Sequence, residues 1–205
     1  MADDTTLAFT ALGPLRGWRG SHELALGSPQ QRAALAMLLL RGERPVDIDD
    51  LVLGLWGNDA PKAATGAVRT YISRLRTLLE PEHRSMGGPS LLVSVGTSYA
   101  LRLPGGAVDI DLVEQELTAA TTARKAGELV RAHEQLASAA GRWRGIPLTG
   151  LTGPFADNQR EHLPQRRLSV LEQRIEFDLE RSSGRRINAA ADPSAERTQS
   201  RTAQA

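Results

Sequence analysis

The sequence predicts an α+β N-terminal half, with a β-meander, three helices and a β-hairpin, joined to an all-α C-terminal half. Three observations predict it. Short apolar stretches are broken by glycine and proline over residues 7–26, three helical periods follow between residues 29 and 79, and beyond Pro104-Gly105-Gly106 only helical periodicity remains. With 205 residues and a 40% hydrophobic fraction, the chain has room for one large domain or two small ones; the change of pattern favours two.

Residues 7–26 are interrupted at Gly13-Pro14, Gly17 and Gly20-Ser21, as an antiparallel meander requires. Ser28 as N-cap and Pro29 at the first helical position then open a helix that Gly42 ends. A short extended Arg44-Pro45-Val46 leads to a second helix over 49–56, stopped by Gly57. The third begins near Lys62 and runs to Leu79, with Val68, Ile72, Leu75 and Leu79 on one stripe and Pro81 as its bound. After a turn at Gly87-Gly88-Pro89, two extended runs joined by Gly96-Thr97-Ser98 form a hairpin.

The linker divides the chain into 1–106 and 107–181. In the second part, 112–125 and 127–144 form a helical hairpin with Leu117, Leu129, Leu136 and Trp143 among its apolar positions. A third helix covers 155–181, kinked or restarted at Pro164. Residues 182–205 carry almost no large apolar side chains and no sustained period, so a disordered tail is expected.

Composition excludes several classes of function. There is no cysteine, hence no disulfide framework, thiolate metal site or cysteine nucleophile. The start is acidic, the wrong sign for a secretory signal, and the longest apolar run has eight residues where a membrane span needs roughly 20. A soluble cytoplasmic protein with no membrane partner is expected. His22, His83, His133 and His162 lack ligand spacing, so no metal is predicted. Asp109 and Asp111 precede a helix, where capping explains them better than acid–base chemistry. The glycine-rich turns lack the Gly-Lys-Ser/Thr ending of a phosphate loop, and Trp56 and Trp143 read as core anchors at helix ends. Neither an enzyme nor a cofactor is expected.

The 25 basic and 24 acidic residues give a net charge of +1, yet between Lys62 and Leu79 there are four cations and no acid. Opposite the apolar stripe of that helix lie Lys62, Gly66, Arg69, Thr70, Ser73 and Thr77, with Arg74 and Arg76 at the edges. A helix that buries one side and presents Arg, Thr and Ser on the other can lie in the major groove of duplex DNA. The alternative on this helix alone is an ordinary solvated face. Two helices, a basic amphipathic helix and a hairpin follow the order of a winged helix-turn-helix.

Leu12-Gly13-Pro14-Leu15, Gly27-Ser28-Pro29-Gln30-Gln31-Arg32, Leu55-Trp56-Gly57 and Tyr71-Ile72-Ser73-Arg74-Leu75-Arg76 resemble an OmpR-type winged helix. Asp109-Ile110-Asp111-Leu112 and Trp143-Arg144-Gly145-Ile146-Pro147-Leu148 resemble the TPR-like bacterial transcriptional activation domain that follows it in the SARP family of actinomycete antibiotic regulatory proteins. The resemblance implies a transcriptional activator of a secondary-metabolite gene cluster. It would bind direct repeats at promoters and recruit RNA polymerase holoenzyme. Arg69, Thr70, Ser73 and Arg74 would then face the major groove, Lys62, Thr65 and Arg76 would hold phosphates, Gln31 and Arg32 would add backbone contacts, and Thr97 belongs to the hairpin's share.

Two departures stand out. Ser94-Val95-Gly96-Thr97-Ser98-Tyr99 lacks the Arg, and the Gly before Tyr, of the family's wing, T-R-x-x-G-Y. The helical part amounts to about one and a half pairs, where a TPR-like array needs about three repeats to bury its faces. That part is expected to be marginal alone, to form a homodimer, or to pack back onto the winged helix. An alternative function is therefore a protein-interaction module or competitor of a full-length regulator with weak DNA binding. No receiver segment precedes the winged helix, so no phosphorylated in-chain Asp is implied.

Overall fold

A computed structural model describes residues 6–81 and 90–190; the acidic start and the expected turn at 87–89 lie outside this range. Strands β1 (Leu7–Thr10), β2 (Arg16–Arg19) and β3 (His22–Glu23) form the expected antiparallel meander, in the order β1-β2-β3. Leu7 and Phe9 face the core and Ala8 faces out, the alternation of a half-covered strand.

Helix α1 (Pro29–Arg41) starts as its sequence dictates: Ser28 Oγ accepts the Gln31 N–H at 3.2 Å, Pro29 sits at the first turn, and Gly42 closes it. A continuous run from Ala33 to Leu39 is buried, making α1 the axis of the N-terminal half. Helix α2 (Ile48–Trp56) begins one residue earlier than expected because Asp47 is its N-cap, accepting the Asp49 N–H at 3.0 Å. A 3-10 turn (Gly57–Asp59) leads to α3 (Ala64–Leu79), which buries Val68, Ile72, Leu75 and Leu79 as its periodicity requires.

The expected hairpin is part of a larger sheet. Strands β5 (Leu92–Val95) and β6 (Ser98–Leu101) pair through the two-residue turn Gly96-Thr97, and β4 (Val46–Asp47) pairs with β6 on its other side, giving the order β4-β6-β5. A two-residue strand has no readable period; only its partner defines it.

In the C-terminal half, α4 (Asp109–Lys125) and α5 (Leu129–Ala140) form the expected hairpin. The latter ends before 144, which leaves Trp143 in a loop, buried against Leu12, Val113, Leu163 and Val170. Helix α6 (Pro154–Ala190) corrects two expectations. Pro164 does not restart it: one helix runs through the proline, with Leu163 and Val170 on either side both buried against the rest of the half. The disordered tail expected from 182 is helix as far as 190, since extending a helix already formed costs far less than nucleating one; 191–205 lie outside the described residues.

One of the three expected fates is met: the helical half packs onto the winged helix. Leu148, Leu151 and Ala156 join the same core as α1, α2 and α3. The main chain is knitted across the junction: Phe9 N–H donates to Ala107 at 2.7 Å, Arg144 N–H to Leu12 at 2.9 Å and Leu148 N–H to Gly13 at 2.7 Å. The Asp109 carboxylate accepts the N–H groups of Ala11 and Leu12 at 2.9 and 3.0 Å. Burial pushes that carboxyl above its ordinary range, against the pull of these N–H bonds and of Arg142. The Leu12-Gly13-Pro14, Asp109 and Trp143–Leu148 motifs, far apart in sequence, thus meet in one seam.

Candidate nucleic-acid interface

Helix α3 presents Gly66, Arg69, Thr70, Ser73 and Thr77 to solvent on the side away from its buried stripe, with exposed Thr65 and Arg74 at the edges. Arg69, Arg74 and the preceding Lys62 are exposed and make no hydrogen bond or ion pair among the described residues. Three free cations and a row of small hydroxyls therefore share one surface. Thr70 Oγ1 donates to the Gly66 carbonyl at 3.0 Å and Thr77 Oγ1 to that of Ser73 at 3.2 Å, leaving the hydroxyl oxygens free to accept. Among the described residues no side chain caps the first turn of α3, so its positive dipole end adds to the field of Lys62. Trp56 stacks on Tyr71 with ring centroids 6.5 Å apart, tying α2 to the flank of α3.

Three expected contact residues are engaged elsewhere. Gln31 is buried, and its Nε2 donates to the Leu26 carbonyl at 3.0 Å, so it serves the start of α1 rather than a phosphate. Arg76 is half-buried; its guanidinium donates to the Leu92 carbonyl at 2.9 and 3.2 Å and to Ser94 Oγ at 3.3 Å. It braces the wing, and its fork is not free for phosphate. Thr97 Oγ1 donates to Asp47 Oδ2 at 2.6 Å, which pins the wing tip to the N-cap of α2. Arg32 is half-buried and its Nε has no hydrogen-bond partner among the described residues.

The bracing groups carried no sequence signal. Glu80, at the end of α3, accepts the Leu92 N–H at 2.6 Å, so Glu80 and Arg76 hold both polar groups of one residue in β5. Arg19 from β2 donates to the carbonyls of Leu78 and Leu79 at 2.9 and 3.1 Å, a cation placed where the helix dipole favours it. Asp47 accepts from Thr97, Asp49 and Ser98, and these hydrogen bonds hold its carboxyl below the usual range. The polar face of α3 and the wing are thus held at a fixed relation.

Fold and surface together define a winged helix-turn-helix regulator carrying a helical module. Residues 22–100 match the family model described as transcriptional regulatory protein, C terminal, and residues 108–201 match the bacterial transcriptional activator domain. The chain is 45% identical over 175 residues to the regulatory protein AfsR of Streptomyces coelicolor and 42% identical over 174 residues to that of Streptomyces griseus. Each match spans 85% of this chain but 17% of the relative's length. The solved structure of Mycobacterium tuberculosis EmbR in complex with a low-affinity phosphopeptide superposes with a TM-score of 0.77 at 28% identity, covering 90% of this chain and 48% of that one. The chain belongs to the SARP family, with an OmpR-type DNA-binding domain followed by a bacterial transcriptional activator domain.

Proposed function

We propose that this chain is a cytoplasmic, sequence-specific regulator that binds direct repeats in promoter DNA, activates a secondary-metabolite gene cluster and contacts RNA polymerase through its helical half. The observation that carries the reading is the free polar face of α3. Arg69 and Arg74 reach guanine edges in the major groove, Thr70 and Ser73 contact bases beside them, and Lys62 and Thr65 hold phosphates. No helix among the described residues is long and apolar enough to cross a membrane, which accords with a soluble regulator.

The test is selection of bound duplexes from a random pool, followed by gel shifts on the selected site and transcription with RNA polymerase. Arg69→Ala and Arg74→Ala should each lower specific binding by about 1–3 kcal/mol with little change on random DNA. Lys62→Ala should weaken both alike and reduce the salt slope by about 1. Wild-type behaviour of both arginine variants would remove α3 from the readout.

A second reading, a protein-interaction module or competitor that binds DNA weakly, rests on the side chains of Leu168, Ile175 and Leu179 on α6. These are exposed on the face opposite buried Leu163, Val170 and Phe177. Light scattering after size exclusion separates the readings: a monomer that binds a repeat promoter tightly contradicts the second.

A further inference from the structure

A cleft of about 420 Å³ opens between the outer face of the meander and the helical half, away from α3. Phe9, Trp18, Asp109, Ser138, Arg142 and Arg144 are among the residues that line it. Its size falls in the range of small-molecule sites, and a junction between two structural units is where such sites concentrate.

The charges around it are unequally satisfied. Asp109 is occupied by the Ala11 and Leu12 N–H groups. Arg142 is occupied by Glu116, to which it donates at 2.5 and 2.9 Å, and Ser138 donates to the same carboxylate at 2.6 Å. Arg144 is exposed, and its guanidinium has no hydrogen bond or ion pair among the described residues. One uncompensated monocation therefore remains on the wall. The meander side carries a half-buried indole: Trp18 lines the cleft, with the Arg16 guanidinium 5.1 Å from its ring centroid. A guanidinium fork matches a carboxylate bidentately, an indole favours a flat aromatic body, and a dianion would be undercompensated beside Asp109.

We propose that this cleft binds a small planar aromatic carboxylate, with Arg144 pairing the acid and Trp18 stacking the ring. The wall is drawn from both halves of the chain, so the bound acid stabilises the seam between them. The site is separate from α3, and its occupancy does not depend on DNA binding.

Titration calorimetry and thermal melting of the full chain with 2-naphthoate, 2-naphthamide and 2-naphthyl phosphate test this. The acid should bind with one site per chain and raise the melting temperature, with the amide at least tenfold weaker and the phosphate no tighter than the acid. Arg144→Met keeps the main-chain bond to Leu12 and should bring the acid down to the amide's affinity. Trp18→Phe should weaken acid and amide together, and Arg74→Ala should change neither. Equal binding of acid and amide, tighter binding of the phosphate, an unaltered Arg144→Met, or no binding of the acid at millimolar concentration would each overturn the proposal.

Discussion

Two glycines set opposite expectations for one added methyl group. Gly66 lies on the exposed face of α3, and a Cβ added there would meet nothing within 4 Å, so Gly66→Ala should stabilise the protein by about 0.5–1 kcal/mol through helix propensity. Gly153, at the start of α6, has φ +105°, and a Cβ there would stand 2.5 Å from the Leu55 carbonyl oxygen. Gly153→Ala must move backbone in the middle of the shared core and should lower stability by well over about 1 kcal/mol. Urea unfolding of the two variants checks both signs. Gly66→Ala also asks whether α3 needs a close approach to DNA: a stabler protein with weaker binding would place that residue against the duplex.

Among the elements, the wing is held by groups of α3 and α2 rather than by its own two strands. Glu80→Ala removes the acceptor of the Leu92 N–H and strands it at a cost of about 1–3 kcal/mol, while Arg76→Met leaves the Leu92 carbonyl with Ser90 Oγ as its side-chain donor and should cost less. The wing's amides should then exchange faster with solvent while those of α1 keep their protection, a contrast that hydrogen exchange reads directly. The α4–α5 hairpin has its own brace. Burial opposes ionisation of Glu116, but hydrogen bonds from Arg142 and Ser138 outweigh it and hold the carboxyl below its ordinary value. An acid whose folded value is depressed adds stability above its unfolded value, near 4.5, and loses it as pH falls through the folded one. Glu116→Gln should therefore cost about 1–3 kcal/mol at pH 7, and the gap from wild type should close as the pH falls below that ordinary value in urea titrations.

At the scale of the whole molecule, the two sequence modules share a core. Leu148, Leu151 and Ala156 pack with α1–α3, and Trp143 packs on Leu12. A single cooperative unfolding transition is expected, with near- and far-ultraviolet circular dichroism giving the same midpoint. Asp109→Ala should move that one midpoint, because it strands two N–H groups at about 1–3 kcal/mol each. Two separated transitions would show that the seam does not couple the halves. A coupled seam would have a functional consequence under the proposed function: a partner held by the helical half would stand at a fixed position relative to the DNA under α3.

Elements whose signals are local were legible in the residues alone. Ser28-Pro29 and Gly42 bound α1, the Val68, Ile72, Leu75 and Leu79 spacing chose the buried side of α3, and the same spacing left Arg69, Thr70, Ser73 and Arg74 outside. These follow from dihedral preference and period, which neighbouring residues carry among themselves. Which polar residues are free to act emerged only once the chain was folded. Gln31 and Arg76 have the composition of contact residues, yet carbonyls at Leu26 and Leu92 claim their donors; Glu80, Arg19 and Asp109 are ordinary charges in the sequence and become braces in the fold. A polar side chain's role depends on which backbone groups the fold leaves unpaired beside it, and those come from segments as far as 98 residues away.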